Sequence, residues 1–202
     1  TPAESATITH VAESDVTNAF SYTVANSAQY SSQEKEEGTL TVTAATLTIT
    51  TESANREYNG APLTAGGSIS GFVTPTDGEQ ETATFTVTGS QTTVGSSTNS
   101  YSLVWDGTAT ESDYTLSENL GTLNITASTK ELKVVSADGS WTYDGDAHTK
   151  YEYTVTYGTE SYDVTIAEDA TTGTATLSTG DVVTITPAES ATITHVAESD
   201  VT

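Results

Sequence analysis

Apolar and polar residues alternate with a period of two through much of this chain. In Thr39-Leu40-Thr41-Val42-Thr43 and Thr46-Leu47-Thr48-Ile49-Thr50, the Leu, Val and Ile share one face and the Thr the other. That spacing belongs to half-buried antiparallel strands, because successive side chains on a strand point to opposite faces. The same pattern marks strands at 82–88, 100–105, 121–126, 132–136, 151–157, 174–178 and 181–186. Turn signals separate them at Asn59-Gly60, Asp77-Gly78, Asp106-Gly107, Asp138-Gly139 and Asp144-Gly145. No window carries a long 3.6-residue apolar period, so any helix is short, near 114–119 or 30–36. The expectation is an all-β protein.

A repeat organises these strands. Residues 1–17 read TPAESATITHVAESDVT, and residues 186–202 read the same without a difference, at an offset of 185. The chain is therefore read as one period of a tandem array plus a short overlap. A weaker repeat lies inside the period. GTLTVTAATLTITTESANREYNGAPLT at 38–64 resembles GTLNITASTKELKVVSADGSWTYDGDAHT at 121–149. Gly38 matches Gly121, and Tyr58-Asn59-Gly60 matches Tyr143-Asp144-Gly145. TNAFSYTV at 17–24 resembles TNSYSLV at 98–104, and Tyr30 precedes Gly38 much as Tyr114 precedes Gly121. The expected domains are a complete A-type domain at 45–127, the C-terminal half of a B-type domain at 1–44, and the N-terminal part of the next B-type domain at 128–202. Only Ala44-Ala45 separates the last strand of one domain from the first of the next, which favours stiff end-to-end domains. Neighbouring copies are expected to complete the two B-type halves, since orphan halves leave strands without partners.

Composition changes the picture in two ways. Leu, Ile, Val and Phe make up about 17% of the chain and the net charge is −23, a balance that leans toward disorder. Against that, charged residues are only 16%, and Thr is about a fifth of the chain. Thr is β-branched and favours strands. The reading is an ordered Thr-rich protein with small cores. The second change concerns partners. Five Lys and Arg against 28 Asp and Glu cannot build the basic face that a nucleic acid or an anionic membrane requires. With no Cys, disulfides, thiolate metal sites and Cys nucleophiles are excluded. No apolar run approaches a membrane span of roughly 18 residues. The chain has no Met and no signal peptide, so it reads as a piece of something longer.

The Tyr-Asn/Asp-Gly turn after a first strand, the TGSQTTVGSSTNSYSLV stretch at 88–104 and the closing Tyr114 with GTLNIT resemble MBG (mostly β-grasp) domains. Such domains recur in tandem in large bacterial surface proteins and adhesins. The resemblance covers the whole period. It departs in the middle of the B-type domain, where TPAESATITHVAESDVTNAF replaces the Thr-Gly-Ser and Val-Gly signals. It implies tandem β-grasp-like domains, export to the bacterial cell surface, and a stalk or adhesive role without catalysis.

Candidate chemistry is sparse. Tyr58-Asn59-Gly60 and Tyr143-Asp144-Gly145 read as structural turns needing positive φ at Gly, with ligand-contacting loops as the alternative. His10 and His195 are one repeat position, leaving His148 as the second distinct histidine. No Gly-x-Ser-x-Gly elbow accompanies them, and two histidines make no zinc site alone. The carboxylates at Glu36-Glu37, Glu168-Asp169 and Asp144/Asp146 lie on opposite strand faces or in solvent, not across a cleft. The stretch from Asp144 fails the calcium-loop pattern at His148 and Thr149, so no cofactor is expected beyond weak surface divalent cations. No Lys lies between Lys35 and Lys130, so the A-type domain forms no isopeptide bond; Lys133 faces a closing strand without Asn. Flat Thr ranks for ice binding are not expected, because strand twist and turns interrupt them.

The leading expectation is a structural repeat of a long extracellular bacterial fibre or adhesin stalk, its partners neighbouring copies head to tail. Its negative charge would keep arrays soluble and apart. The alternatives are a non-covalent filament built by half-domain complementation, and a weak multivalent glycan- or protein-binding module using Trp105, Trp141 or Tyr151. An enzyme is not expected.

Overall fold

The computed structural model describes residues 7–76, 78–189 and 192–195. Residues 1–6, Asp77 of the expected Asp77-Gly78 turn, and most of the second copy of the repeat lie outside the described residues. The fold is all-β: among the described residues 39% are in strands, 5% are helical, and no helix reaches seven residues.

Among the described residues, fifteen strands follow in chain order. The first five are β1 (Val16–Asn18), β2 (Gly38–Leu40), β3 (Ala45–Thr51), β4 (Ala54–Glu57) and β5 (Gly67–Ser70). Next come β6 (Thr84–Val87), β7 (Gly95–Thr98), β8 (Tyr101–Val104), β9 (Tyr114–Asn119) and β10 (Thr122–Thr126). The last are β11 (Leu132–Ser136), β12 (Glu152–Tyr157), β13 (Glu160–Thr165), β14 (Gly173–Thr176) and β15 (Val182–Ile185). Single 3-10 turns occur at Val11–Glu13, Ser27–Gln29 and Glu111–Asp113.

The chain divides into two compact units. One holds residues 1–54, 64–90 and 97–123; the other holds 55–63, 91–96 and 124–202. The first contains the sheets β1-β2, β5-β3-β9 and β6-β8. Strand β3 is central, antiparallel to β5 (Ile49 opposite Ile69) and parallel to β9 (Leu47 opposite Leu116). The alternation seen in sequence places Leu47, Ile49 and Thr51 inside, and Thr46 and Thr48 outside. Leu47, Ala109 and Tyr114 form the core, with Ile69, Phe72 and Trp105 packed on it. Full burial of a Leu or Ile contributes about 1.5–3 kcal/mol.

In this unit one buried amide does the joining. Asn99 is fully buried, and its Nδ2 donates to the carbonyls of Glu52 (2.9 Å) and Gly66 (3.2 Å). Its backbone N–H donates to the Gly121 carbonyl at 2.9 Å. The Thr51 hydroxyl donates to the Asn99 carbonyl (2.8 Å) and accepts the Gly121 N–H (2.9 Å). Four chain segments thus meet with their backbone groups paired, as burial demands.

The second unit contains β11-β12-β13 and β14-β15. All their pairings are antiparallel. Its core is Val155, Tyr157, Val164, Ile166, Ala175, Leu177 and Ile185. The remaining sheet has the order β4-β10-β7.

Four expectations are corrected. Residues 114–119 are not a helix but β9, because pairing with β3 satisfies their backbone and buries Tyr114. The helical turn falls just before, at Glu111–Asp113. No helix occurs at 30–36; the nearest turn is Ser27–Gln29. The expected strand 39–43 is shorter, ending at Leu40, where its pairing with β1 ends. Not every strand pair is antiparallel: β3 and β9 run parallel.

Candidate functional site

The two Tyr-Asx-Gly turns anticipated from sequence both form, in different surroundings. In the first, the Asn59 side-chain oxygen accepts the Ala61 N–H at 3.1 Å, closing an Asx turn. The Tyr58 N–H donates to the Thr126 carbonyl, which fixes the turn to β10. Gly60 has φ +80°, and a Cβ there would lie 1.8 Å from the Thr179 carbonyl oxygen. Glycine is required twice over, for the left-handed backbone and for this approach.

Around that turn lies a cleft of about 320 Å³, bordered by Glu57, Tyr58, Lys130, Tyr157, Ser178 and Thr179. The Tyr58 hydroxyl donates to Asp181 at 3.1 Å, and the Thr179 hydroxyl donates to the other oxygen of the same carboxylate. That hydrogen bond, then burial, raises the Tyr58 pKa. The Lys130 ammonium sits 4.8 Å from the Tyr157 ring centre and pairs with Glu160 at 3.0 Å. Glu160 is held down to about 2 by hydrogen bonds from Ser178, Tyr162 and Lys130. The Tyr157 hydroxyl donates to the Ser128 hydroxyl at 2.7 Å. These groups hold one another, so the cleft behaves as a bracket around the turn.

In the second turn, Asp144 accepts the Asp146 N–H and contacts His148 Nε2, each at 3.0 Å. Gly145 has φ +88°, but a Cβ there would meet nothing within 4 Å. Tyr143 is 62% exposed. Its ring lies 6.2 Å from that of His195, and Trp141 stacks on His148 at 5.0 Å. The same motif is therefore docked in one place and open in the other.

The histidines find carboxylates. His10 Nδ1 lies 2.6 Å from one oxygen of Asp113, whose other oxygen accepts the Val11 N–H at 2.7 Å. The hydrogen bond that Asp113 accepts, followed by its charge, raises the His10 pKa, and the same bond lowers that of Asp113. The expected carboxylate pairs stay apart from one another in function. Glu37 pairs with Lys35, and Asp144 serves its own turn. Among the described residues, no group of three or more His, Asp or Glu is placed to hold a metal ion. No described helix is long and apolar enough to cross a membrane.

Of the three candidate aromatic contacts, only Trp141 is exposed. Trp105 stacks on Tyr114 at 5.9 Å, and Tyr151 packs on the second unit's core. Sequence reasoning missed a second, open cleft of about 440 Å³, formed by Tyr101, Leu103, Leu116 and Glu118. Tyr101 donates a short hydrogen bond to Glu118, and that bond pushes its pKa up to about 12. The i, i+2 spacing on β8 and β9 was visible, but their strand partners were not. No protein-family model, no curated protein and no solved structure matches this chain significantly.

Proposed function

We propose that this chain is a structural repeat of a long extracellular bacterial surface fibre or adhesin stalk, acting as a stiff spacer between neighbouring copies. The observation that carries the reading is the 17-residue identity between 1–17 and 186–202, at an offset of 185. A period so long and so uniform suits an array, where each copy repeats one mechanical role. The all-β fold with small cores supports it, as does a charge of −23 that keeps parallel arrays apart. The resemblance to tandem MBG domains points the same way.

A second reading is favoured by one feature: β11 is an end strand whose apolar residues are exposed. Under it, separate chains complete each other's B-type halves in a non-covalent filament. Denaturing gel migration of the native material tests the function. A band far above 21 kDa after boiling supports one giant repeat polypeptide. A band near 21 kDa, with the short chain rebuilding filaments, supports the second reading. A band near 21 kDa without filaments contradicts both.

A further inference from the structure

Residues 45–70 and 130–155 are the same strand–turn–strand unit written twice. At an offset of 85, Leu47 corresponds to Leu132, Ile49 to Val134, Thr51 to Ser136 and Gly60 to Gly145. Each first strand has an antiparallel neighbour, with Thr51 opposite Gly67 and Ser136 opposite Tyr153, so the second neighbour is displaced by one residue from the offset of 85. On its other edge β3 carries β9. Strand β11 ends its sheet, among the described residues, with nothing on that edge. Leu47 and Ile49 are fully buried, whereas Leu132 is 51% and Val134 45% exposed.

The missing elements exist elsewhere in the chain. Thr98-Asn99 and Gly121-Thr122-Leu123, which close on Thr51, have counterparts in Thr17-Asn18 and Gly38-Thr39-Leu40. Those counterparts already pair with each other as β1 and β2, with Asn18 opposite Gly38. Asn99 and Gly121 pair in the same way. Tyr30 stands eight residues before Gly38, and Tyr114, the first residue of β9, stands seven before Gly121. Ser136 keeps a hydroxyl at the place of Thr51, and Asn18 keeps the amide of Asn99.

A bridge outside the strands fixes which segment belongs there. Leu63 pairs with Gln91 in both directions, at 2.7 and 3.0 Å. His148, the counterpart of Leu63, pairs with Ile193 in both directions, at 2.9 and 3.1 Å. Ile193 is the repeat position of Ile8. The sequence that takes the place of 91 in the second half is thus the one that, at 8–44, leads on to Asn18, Tyr30 and Gly38.

We infer that the open edge of β11 takes residues 16–44 of a second copy of this chain. Residues 30–35 of that copy run parallel to β11 in the place of β9, and its Asn18 and Gly38 close on Ser136. Charge is compatible with this pairing: Lys133 lies at the edge and Glu34 and Glu36 belong to the incoming segment, while Lys130 and Glu37 already pair with Glu160 and Lys35. The inference deepens the fibre reading and rests on it for the identity of the partner.

The absence of native Cys permits a direct test. Thr48 lies opposite Ser117 across β3 and β9, and the corresponding positions are Lys133 and Gln33. Both occupy the outward face, at a separation a disulfide can span. Lys133→Cys and Gln33→Cys chains, each made singly, are mixed and oxidised mildly. The expected result is a dimer band several-fold stronger in the mixture than in either chain alone. Adding Ser136→Ala to the Lys133→Cys chain should then raise the concentration needed for crosslinking about tenfold, because the Gly38 N–H loses its acceptor. Ser136 is exposed in the separate chain, so this variant folds. Equal dimer in the mixture and the single-Cys samples overturns the inference. So does a chain carrying both cysteines that closes on itself as a monomer. If crosslinking fails while native material migrates far above 21 kDa, the second-copy docking falls and the fibre reading stands.

Discussion

Strands β3 and β11 carry one sequence pattern and meet opposite fates. In β3, Leu47 and Ile49 are sealed between β5 and β9, and Thr51 is tied to Asn99 and Gly121. In β11, Leu132 and Val134 face solvent, and the Ser136 hydroxyl stands on an exposed residue. The turns that follow differ likewise: Gly60 is pressed against Thr179, and Gly145 touches nothing. An alternating pattern specifies a strand and its inner face. Burial of that face depends on which other segments arrive, and those can lie far along the chain or outside it.

The largest expected effect breaks the comparison at its core. Leu47→Ala should cost about 3 kcal/mol, from lost transfer energy plus a cavity. Leu132→Ala in the dilute chain should cost less than about 1 kcal/mol, because its side chain is half in water already. Denaturant titration with hydrogen exchange on each unit measures both, and equal losses would erase the distinction drawn between the two strands.

Next comes the buried amide. Asn99→Ala removes the side-chain donor to the Glu52 carbonyl, while the Gly66 carbonyl keeps the Glu52 N–H, and should cost about 2–3 kcal/mol. Asn18→Ala should change stability by less than about 0.5 kcal/mol in dilute solution, since Asn18 is exposed. If the two variants melt together, Asn99 is not the tie described here.

The turns give a smaller contrast. Gly60→Ala and Gly145→Ala share a left-handed backbone cost of about 1 kcal/mol. Only Gly60→Ala must also displace the Thr179 carbonyl, so it should lose roughly a further 1–2 kcal/mol. Loss of exchange protection at residues 179–181 in that variant alone is the accompanying signature.

The smallest effect is pH-dependent. The His10 pKa is raised above 6.5, so its contribution is complete below 6.5 and lost as pH rises through the raised value. The Asp113 pKa is lowered, so its contribution is complete above 3.8 and lost as pH falls through the lowered value. The pair therefore acts fully between about pH 4 and 6.5. An NMR titration should find His10 titrating above 6.5, and Asp113→Asn should return it to the ordinary value.

Much of the fold was legible because Thr-rich alternation is hard to mistake. The alternation matches strand β11 to the residue, and β3, β6, β8, β10, β12, β14 and β15 to within one or two residues at either end. Strands β1, β4, β5, β7 and β13 escape the pattern: Val16–Asn18, Ala54–Glu57, Gly67–Ser70 and Gly95–Thr98 hold few apolar residues and are strands through pairing alone. Strand β9 falls where the sequence leaves room for a short helix, because Ser117-Glu118-Asn119 carries no strand preference and its parallel partner is 69 residues away. The Tyr-Asx-Gly turns were legible from Gly chemistry. Their brackets were not, since Asp181 and Thr179 lie more than a hundred residues from Tyr58.

The most direct measurement is immuno-electron microscopy of the producing cells, with antibody raised against the 202-residue chain. The account predicts label at regular intervals along filaments outside the cell. Label confined to the cell interior, or scattered without filaments, would contradict it.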